Sequence, residues 1–190
     1  FMLSVGAMYT RDIYNVVQKN MNEKAPSGTY NEQPGRVYWT KNNYYDNPKT
    51  KTVIQLTNGD EKGYQYSFNA VLTKKFDFGF TGSFGYTYTM AKDMTANPGS
   101  SAASVWQNNV AVNSLNDPGV SYSLFSTPHR LIANASYEVA YANMKTTVSL
   151  FYTGYQQGRF SYTYSNDMNG DGNYSDLMYV PASKEEMTFV

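Results

Sequence analysis

GYQYSFNAVLTKKFDFGFTGSFGYTYTM, residues 63–90, alternates on both sides of a short turn. Before the turn, Tyr64, Tyr66, Phe68, Ala70 and Leu72 share one face. Gln65, Ser67, Asn69 and Thr73 share the other, with Val71 as the exception. After the turn, Phe80, Phe84, Tyr86, Tyr88 and Met90 lie together, opposite Thr81, Ser83, Gly85, Thr87 and Thr89. Successive side chains of a strand point to opposite faces, so the stretch predicts a hairpin with one aromatic face and one small, polar face. Asp77-Phe78-Gly79 is the turn, where glycine supplies a positive φ. The aromatic face needs a cover, and the two candidates are a protein core and lipid.

The same alternation recurs outward from this hairpin. Phe1, Leu3, Val5, Ala7 and Tyr9 alternate with Met2, Ser4, Gly6, Met8 and Thr10, and β-branched residues continue the run, predicting one long strand over 1–17. Short strands are predicted over 37–39 and 52–57, the latter followed by an Asn-Gly turn signal that reads equally as a flexible loop. Leu131, Ala133, Ala135, Tyr137, Val139 and Tyr141 oppose Arg130, Asn134, Ser136 and Glu138. After a tight turn at Ala142-Asn143, Val148, Leu150 and Tyr152 oppose Thr147, Ser149, Phe151 and Thr153, in a strand predicted to run on through Phe160, Tyr162 and Tyr164. The tail at 183–190 reads as the start of a helix or a further strand. Long loops are expected at 21–35, 91–128 and 166–176, where Pro, Gly, Asn and Asp break the period.

Composition narrows the classes. With 190 residues the chain suffices for one ordinary domain. It holds 19 Tyr and 10 Phe, yet its mean hydropathy is negative, so apolar and polar residues are interleaved. No apolar run approaches the ~18–20 residues of a transmembrane helix. A transmembrane barrel leaves no such run either, because its strands alternate. Fifteen basic and 15 acidic residues cancel, leaving no basic footprint for nucleic acid. There is no cysteine, so disulfides and Cys-based zinc sites are excluded. His129 is the single histidine, which argues against His-cluster metal catalysis and a Ser-His-Asp triad, and no enzyme is expected. The first residues lack the charged region and cleavage site of a signal peptide and begin within a strand-like pattern, so the chain reads as a piece of something longer.

Tight turns therefore alternate with long loops, and the strands hold their period for about the ~9–11 residues that cross a bilayer. Tyr9, Tyr64, Tyr86, Tyr88, Tyr152 and Tyr155 suit interfacial girdles. The expected fold is all-β, an antiparallel meander of long strands forming part of a transmembrane outer-membrane β-barrel. The alternative is a tyrosine-rich soluble sheet, whose strands are usually ~5–6 residues long.

The residues also resemble a family. A Gly-Tyr-x-Tyr strand start (Gly63, Tyr64, Tyr66) is followed by an Ala-Lys-Asp strand end (Ala91, Lys92, Asp93) and a His-Arg strand start (His129, Arg130). An Asp-x-Asn-Gly-Asp-Gly loop from Asp167 and an Asp-Leu-x-Tyr-x-Pro step from Asp176 complete the order. In this order, over about 63–181, the chain resembles the later barrel strands of TonB-dependent outer-membrane receptors of the Oar-like group, which carry a carboxypeptidase-regulatory-like domain. The resemblance implies a 22-stranded barrel in the cell outer membrane, plugged by an N-terminal domain, that imports a scarce nutrient. It also implies outer-membrane lipid, the TonB complex, a nutrient ligand and a surface lipoprotein as partners. No plug domain and no TonB box occur in this sequence, and its strands are too few to close such a barrel.

Candidate site residues are few. Asp167, Asn169, Asp171 and Asn173 stand at alternate positions with Gly170 and Gly172 between them, the opening of a Ca²⁺ loop. Position twelve of an EF-hand would fall on Met178, which cannot ligate, so Asp176 would have to substitute; a polar, Gly-rich turn is the competing reading. His129 and Arg130 could contact ligand at the barrel mouth or simply anchor a strand start, with Arg130 facing a polar lumen. Trp106 could stack on a ligand or tether its loop. The Lys74–Lys75 and Glu185–Glu186 pairs read as solvated, and NGDG lacks the lysine and helix of a phosphate loop. Two functions follow: a segment of a transporter barrel that imports a nutrient by energised gating, or a non-transporting adhesin or scaffold that binds partners through its loops.

Overall fold

The computed structural model describes residues 1–31, 35–40, 43–45, 52–180 and 183–186. In chain order the elements are β1 (Met2–Arg11), β2 (Val16–Asn20), β3 (Gly28–Thr29), β4 (Val37–Tyr38), β5 (Ile54–Asn58), β6 (Tyr64–Lys75), β7 (Phe80–Asp93), α1 (Ala102–Asn108), β8 (Ser121–Tyr122), β9 (His129–Tyr141) and β10 (Met144–Tyr155), with a 3₁₀ turn at Lys184–Glu186. They form two compact units. The first comprises Phe1–Ile13, Lys62–Asp93 and Ser121–Arg159; the second comprises Tyr14–Glu61, Met94–Val120 and Phe160–Val190.

The first unit is an antiparallel sheet in the order β1-β6-β7-β9-β10, with β8 paired to the end of β7. Register decides which side chains share a face. Leu3 pairs with Leu72, which pairs with Phe84, which pairs with Ala133, which pairs with Tyr152. Ala7, Phe68, Tyr88 and His129 form a parallel row. One face therefore carries Tyr66, Phe68, Leu72, Phe84, Tyr86, Leu131, Ala135 and Leu150. Gln65, Ser67, Asn69, Thr81, Ser83, Thr87, Arg130, Asn134, Ser136 and Glu138 lie on the other, as the alternation predicts. No residue of these five long strands is buried. Phe68, Leu72, Phe84, Tyr137, Val148, Leu150 and Tyr152 are all exposed on the apolar side. Among the described residues, β1 and β10 are edge strands with no partner on their outer sides, so the sheet is open and no closed barrel is present.

Tight turns close the hairpins at one end. Phe76 N–H donates to Phe80 O at 2.8 Å, and Gly79 has φ +90°. A Cβ on Gly79 would collide with the Glu138 carbonyl oxygen, and Glu138 N–H donates to Gly79 O at 3.0 Å. The turn is thus fixed both by its φ and by close approach to β9. At the second hairpin Ala142 takes φ +51°, the left-handed conformation that a tight two-residue turn demands.

Two strand predictions need correction. The strand expected over 1–17 stops at Arg11, because β6 begins at Tyr64 and Asp12 N–H makes the last rung, to Gly63 O at 3.0 Å. The β-branched residues beyond still form a strand, but β2 pairs with β5 in the second unit. Likewise β10 ends at Tyr155, where Gln156 N–H donates to His129 O at 2.8 Å and β9 offers no further partner. Phe160, Tyr162 and Tyr164 do not extend β10; Thr163 instead makes an isolated bridge to Leu177. The predicted strands at 37–39 and 52–57 appear as β4 and β5. The turn-rich run at 41–51 lies largely outside the described residues, as does 187–190.

The second unit has a small core of its own. Val17, Trp39, Met94, Val105, Trp106, Ala111 and Leu115 are buried, and Ile54 packs against Trp106, Ala111 and Leu115. Most of these residues come from 91–128, which is therefore no structureless loop. Ser101 and Ser104 make a reciprocal capping box that starts α1, with Ser104 N–H donating to Ser101 Oγ and Ser101 N–H to Ser104 Oγ. The helix carries Val105 and Trp106 into the core.

Candidate functional site

The three residues expected to meet a ligand do not form one site. Trp106 belongs to the second unit and is only 2 % exposed. Its Nε1–H donates to Asn116 Oδ1 at 2.9 Å. No ring face is left for a ligand, and the indole tethers its segment to a core. His129 and Arg130 start β9 on opposite faces. The His129 Nδ1 meets Tyr86 Oη at 2.7 Å, and its ring packs against Tyr86 and Tyr88 on the aromatic side. Arg130 is on the polar side, where it shares an open depression of about 330 Å³ with Thr127, Thr153 and Tyr155. Tyr155 therefore lies off the aromatic face on which the girdle tyrosines were expected.

The more developed arrangement is in the second unit, around the loop 167–176. Four of the acidic or amide side chains first secure the loop's own backbone. Asp167 accepts from Gly170 N–H at 2.7 Å and from Gly172 N–H at 2.8 Å. Asn169 Oδ1 accepts from Asp171 N–H at 2.9 Å, and Asp171 Oδ1 from Asn173 N–H at 2.7 Å. Asp176 Oδ2 accepts from Met168 N–H at 2.8 Å. These bonds need the chain to reverse tightly, which Gly170 (φ +82°) and Gly172 (φ +87°) permit.

Three other segments hold the loop down. Trp39 N–H donates to Asn169 O at 2.7 Å, and Tyr30 Oη to Met168 O at 2.9 Å. Tyr44 Oη donates to Asp171 O at 3.1 Å. Asn169 Nδ2 donates to Asn113 O at 3.1 Å. Arg36 Nη2 donates to Leu177 O and its Nε to Val112 O. Asn169, Asp171, Asn173 and Asp176 are consequently all buried, which a solvated surface turn would not be.

Glu23 joins them from the far side of the sequence. It bridges to Tyr44 in an isolated antiparallel pair and is only 8 % exposed. Ser114 Oγ donates to Glu23 Oε2 at 3.3 Å, but Oε1 is buried with no hydrogen-bond partner. Asn173 Nδ2 is in the same position. Burial pushes the Glu23 carboxyl up to about 7, and the nearby charge of Asp171 adds to the effect. Burial also raises Asp171 to about 6, with Asp176 and Asp167 contributing, and raises Asp176. The Tyr44 hydroxyl is pushed up to about 12 by burial and then by Asp171, Glu23 and Asp167. The field at this point is strongly negative. Among the described residues, no three carboxylate, histidine or cysteine side chains converge as metal ligands. Glu23 and Asp171 are linked through Tyr44, which bridges to Glu23 and whose hydroxyl donates to Asp171 O, and the charge of Asp171 acts on Glu23.

The sequence singled out 167, 169, 171, 173 and 176, and the structure brings these positions into one loop in which 169, 171, 173 and 176 are buried. Glu23, Tyr44 and Arg36 carry no sequence signal, since each stands in a polar, turn-rich stretch. Comparison with protein-family models, with curated proteins and with solved structures found no match to this chain.

Proposed function

We propose that the first unit is a segment of an outer-membrane β-barrel wall, from a transporter of the TonB-dependent receptor type that imports a nutrient by energised gating. The carrying observation is the sheet itself. Its five long strands have 10 to 14 residues, none of them buried, with a mainly aromatic and aliphatic face on one side. Soluble monomers seldom expose an apolar patch beyond ~300–600 Å², and a sheet of this kind in water would be an aggregation site. In lipid the same face is solvated. The outer edges of β1 and β10 then pair with further strands of the barrel, because an unpaired backbone group in hydrocarbon costs several kcal/mol.

Other features agree with this reading. Lys74 Nζ lies over the Phe76 ring at 4.4 Å beside the short turn, as a lysine does at a headgroup layer. Phe76, Phe78 and Phe80 cluster there with centroids 5.2–6.2 Å apart. Glu138 and Lys145 pair at 3.0 Å on the polar side, where a hydrated lumen tolerates charge. The transport step, the plug and the TonB complex rest on the family resemblance.

Two measurements test the proposal. The intact protein should be recovered in the outer-membrane fraction and migrate as a heat-modifiable band; recovery from the aqueous fraction overturns the barrel. Cells lacking the protein and cells lacking TonB should then share a nutrient-dependent growth defect. A defect in surface attachment alone, untouched by loss of TonB, assigns the protein to the adhesin or scaffold class.

A further inference from the structure

The second unit carries a feature that the barrel does not use. A buried carboxylate oxygen without a donor costs far more than a paired one. Glu23 Oε1 is such an atom, and Tyr44 ties Glu23 to the loop, pairing with it in an isolated bridge while its hydroxyl donates to Asp171 O at 3.1 Å. Asn173 adds a second unsatisfied buried atom at the same loop, and its amide oxygen and nitrogen are interchangeable by a flip. Two buried carboxylates close enough to raise each other's charging cost, one of them with an unpartnered oxygen, are stabilised by a divalent cation.

We propose that Glu23 and Asp171, with the side chain of Asn173 and carbonyl oxygens of the 167–176 loop, bind one Ca²⁺ that staples the 20–23 segment to that loop. The donor chemistry favours calcium. The set is all oxygen and mixes carboxylate, amide and carbonyl, whereas zinc sites are built mainly on nitrogen and sulfur in tetrahedral geometry and magnesium keeps several of its waters. With two carboxylates the site belongs with extracellular calcium modules, whose dissociation constants lie around 10⁻⁴–10⁻³ M. The backbone bonds of Asp167, Asn169 and Asp171 already shape the loop, so little of it must be reordered when the ion enters. Tyr44, whose hydroxyl sits on the Asp171 carbonyl at 3.1 Å, is placed to report the ion optically. This inference is independent of the barrel reading and survives its failure.

The test uses the intact protein stripped with chelator. Calcium chloride is titrated calorimetrically and in thermal unfolding, magnesium chloride serves as the selectivity control, and terbium is read by tyrosine-sensitised luminescence. Calcium should release or absorb heat with one-site stoichiometry and raise the unfolding temperature. Glu23→Gln, which keeps the shape and removes the charge, should weaken calcium binding about tenfold or more. Tyr44→Phe should bind calcium but change the terbium signal. Glu138→Gln, on the exposed sheet, should leave every readout unchanged. Absence of a calcium-dependent heat and temperature shift in the wild type overturns the site. So does a Glu23→Gln variant that folds and binds calcium as tightly as the wild type. If Glu23→Gln fails to fold, Asn173→Ala takes its place and should lose the same affinity; unchanged affinity there also overturns the proposal.

Discussion

Placing arginine at Phe84 and at Ser83 puts the same charge one residue apart on opposite faces of β7. Phe84 is 53 % exposed and pairs with Leu72 and Ala133 on the apolar side. Ser83 pairs with Thr73 and Asn134 on the polar side. β7 has 14 residues. At ~3.4 Å per residue and a tilt near ~45° a strand of that length spans roughly 33 Å of depth, which matches a ~30 Å hydrocarbon layer. Phe84 then lies about 10 Å inside the short-turn end on the same geometry. An arginine on the lipid face costs ~2–4 kcal/mol at the midplane and less near the interface, so Phe84→Arg should cost ~2–3 kcal/mol. That is roughly a 30- to 150-fold loss in the folding equilibrium. In water the same exposed substitution would fall within about ±0.5 kcal/mol. The assay is denaturant unfolding of the intact protein in lipid vesicles, followed by heat-modifiable mobility. Phe84→Arg should shift the midpoint strongly, and Ser83→Arg should stay within about 0.5 kcal/mol of the wild type. Equal tolerance of the two, or a larger cost at Ser83, refutes the assignment of faces.

Three further outcomes follow from particular residues. Gly79→Ala should cost about 2 kcal/mol or more in the same unfolding assay, because it adds a Cβ against Glu138 O to an unfavourable positive φ. Gly119→Ala, with φ +68° and open space around it, should cost only about 1 kcal/mol. Trp106→Ala should destabilise the second unit by ~3–5 kcal/mol, and Trp106→Phe, which loses the bond to Asn116, by about 1 kcal/mol; a loss of ligand binding without loss of stability would instead make Trp106 a contact residue. In chelator, the protection of second-unit amides, taken as their exchange rate relative to the unfolded chain at the same pH, should rise as pH falls. The Glu23 carboxyl moves from an ordinary 4.5 to about 7 on folding, so the folded state holds the extra proton. That contribution is complete below about 4.5 and is lost as pH rises through about 7. Asp171, Ser114 and Tyr44 interact with Glu23, and Asp171 shifts in the same direction, to about 6. Glu23→Gln should flatten the profile, and a profile unchanged by it would show that another group governs the pH dependence.

The sheet was legible in the sequence because period two is a local property. Once Tyr64, Tyr66 and Phe68 are seen to alternate, the face of every residue on β6 and β7 follows, and Gly79 marks the turn. Strand ends were less legible, because a strand ends where its partner does. Nothing in TRDIYNVV tells that Arg11 is the last residue opposite β6, or that Val16 exchanges that partner for Asn58. The packing of the segment 91–128 is hidden in the sequence for a related reason. Trp106, Ala111 and Leu115 are too sparse to show a period, yet they meet Ile54 in one cluster. At the candidate site, the alternating Asp and Asn of 167–173 were visible as a pattern. Their burial was not, because it depends on Tyr30, Trp39, Tyr44 and Asn113 from distant segments. Glu23 was invisible altogether, since what distinguishes it from other loop glutamates is where the fold puts it.

The central claim is that one face of this sheet meets lipid and the other meets water. Because the chain has no cysteine, single cysteines at Ser83, Phe84, Gly85 and Tyr86 can each carry a spin label in the intact protein reconstituted in a bilayer. Collision with oxygen, which partitions into lipid, and with a water-soluble nickel chelate should alternate along β7. Positions 84 and 86 should favour oxygen, and positions 83 and 85 should favour nickel. Nickel access on both faces, or no period-two alternation, contradicts the membrane-wall account.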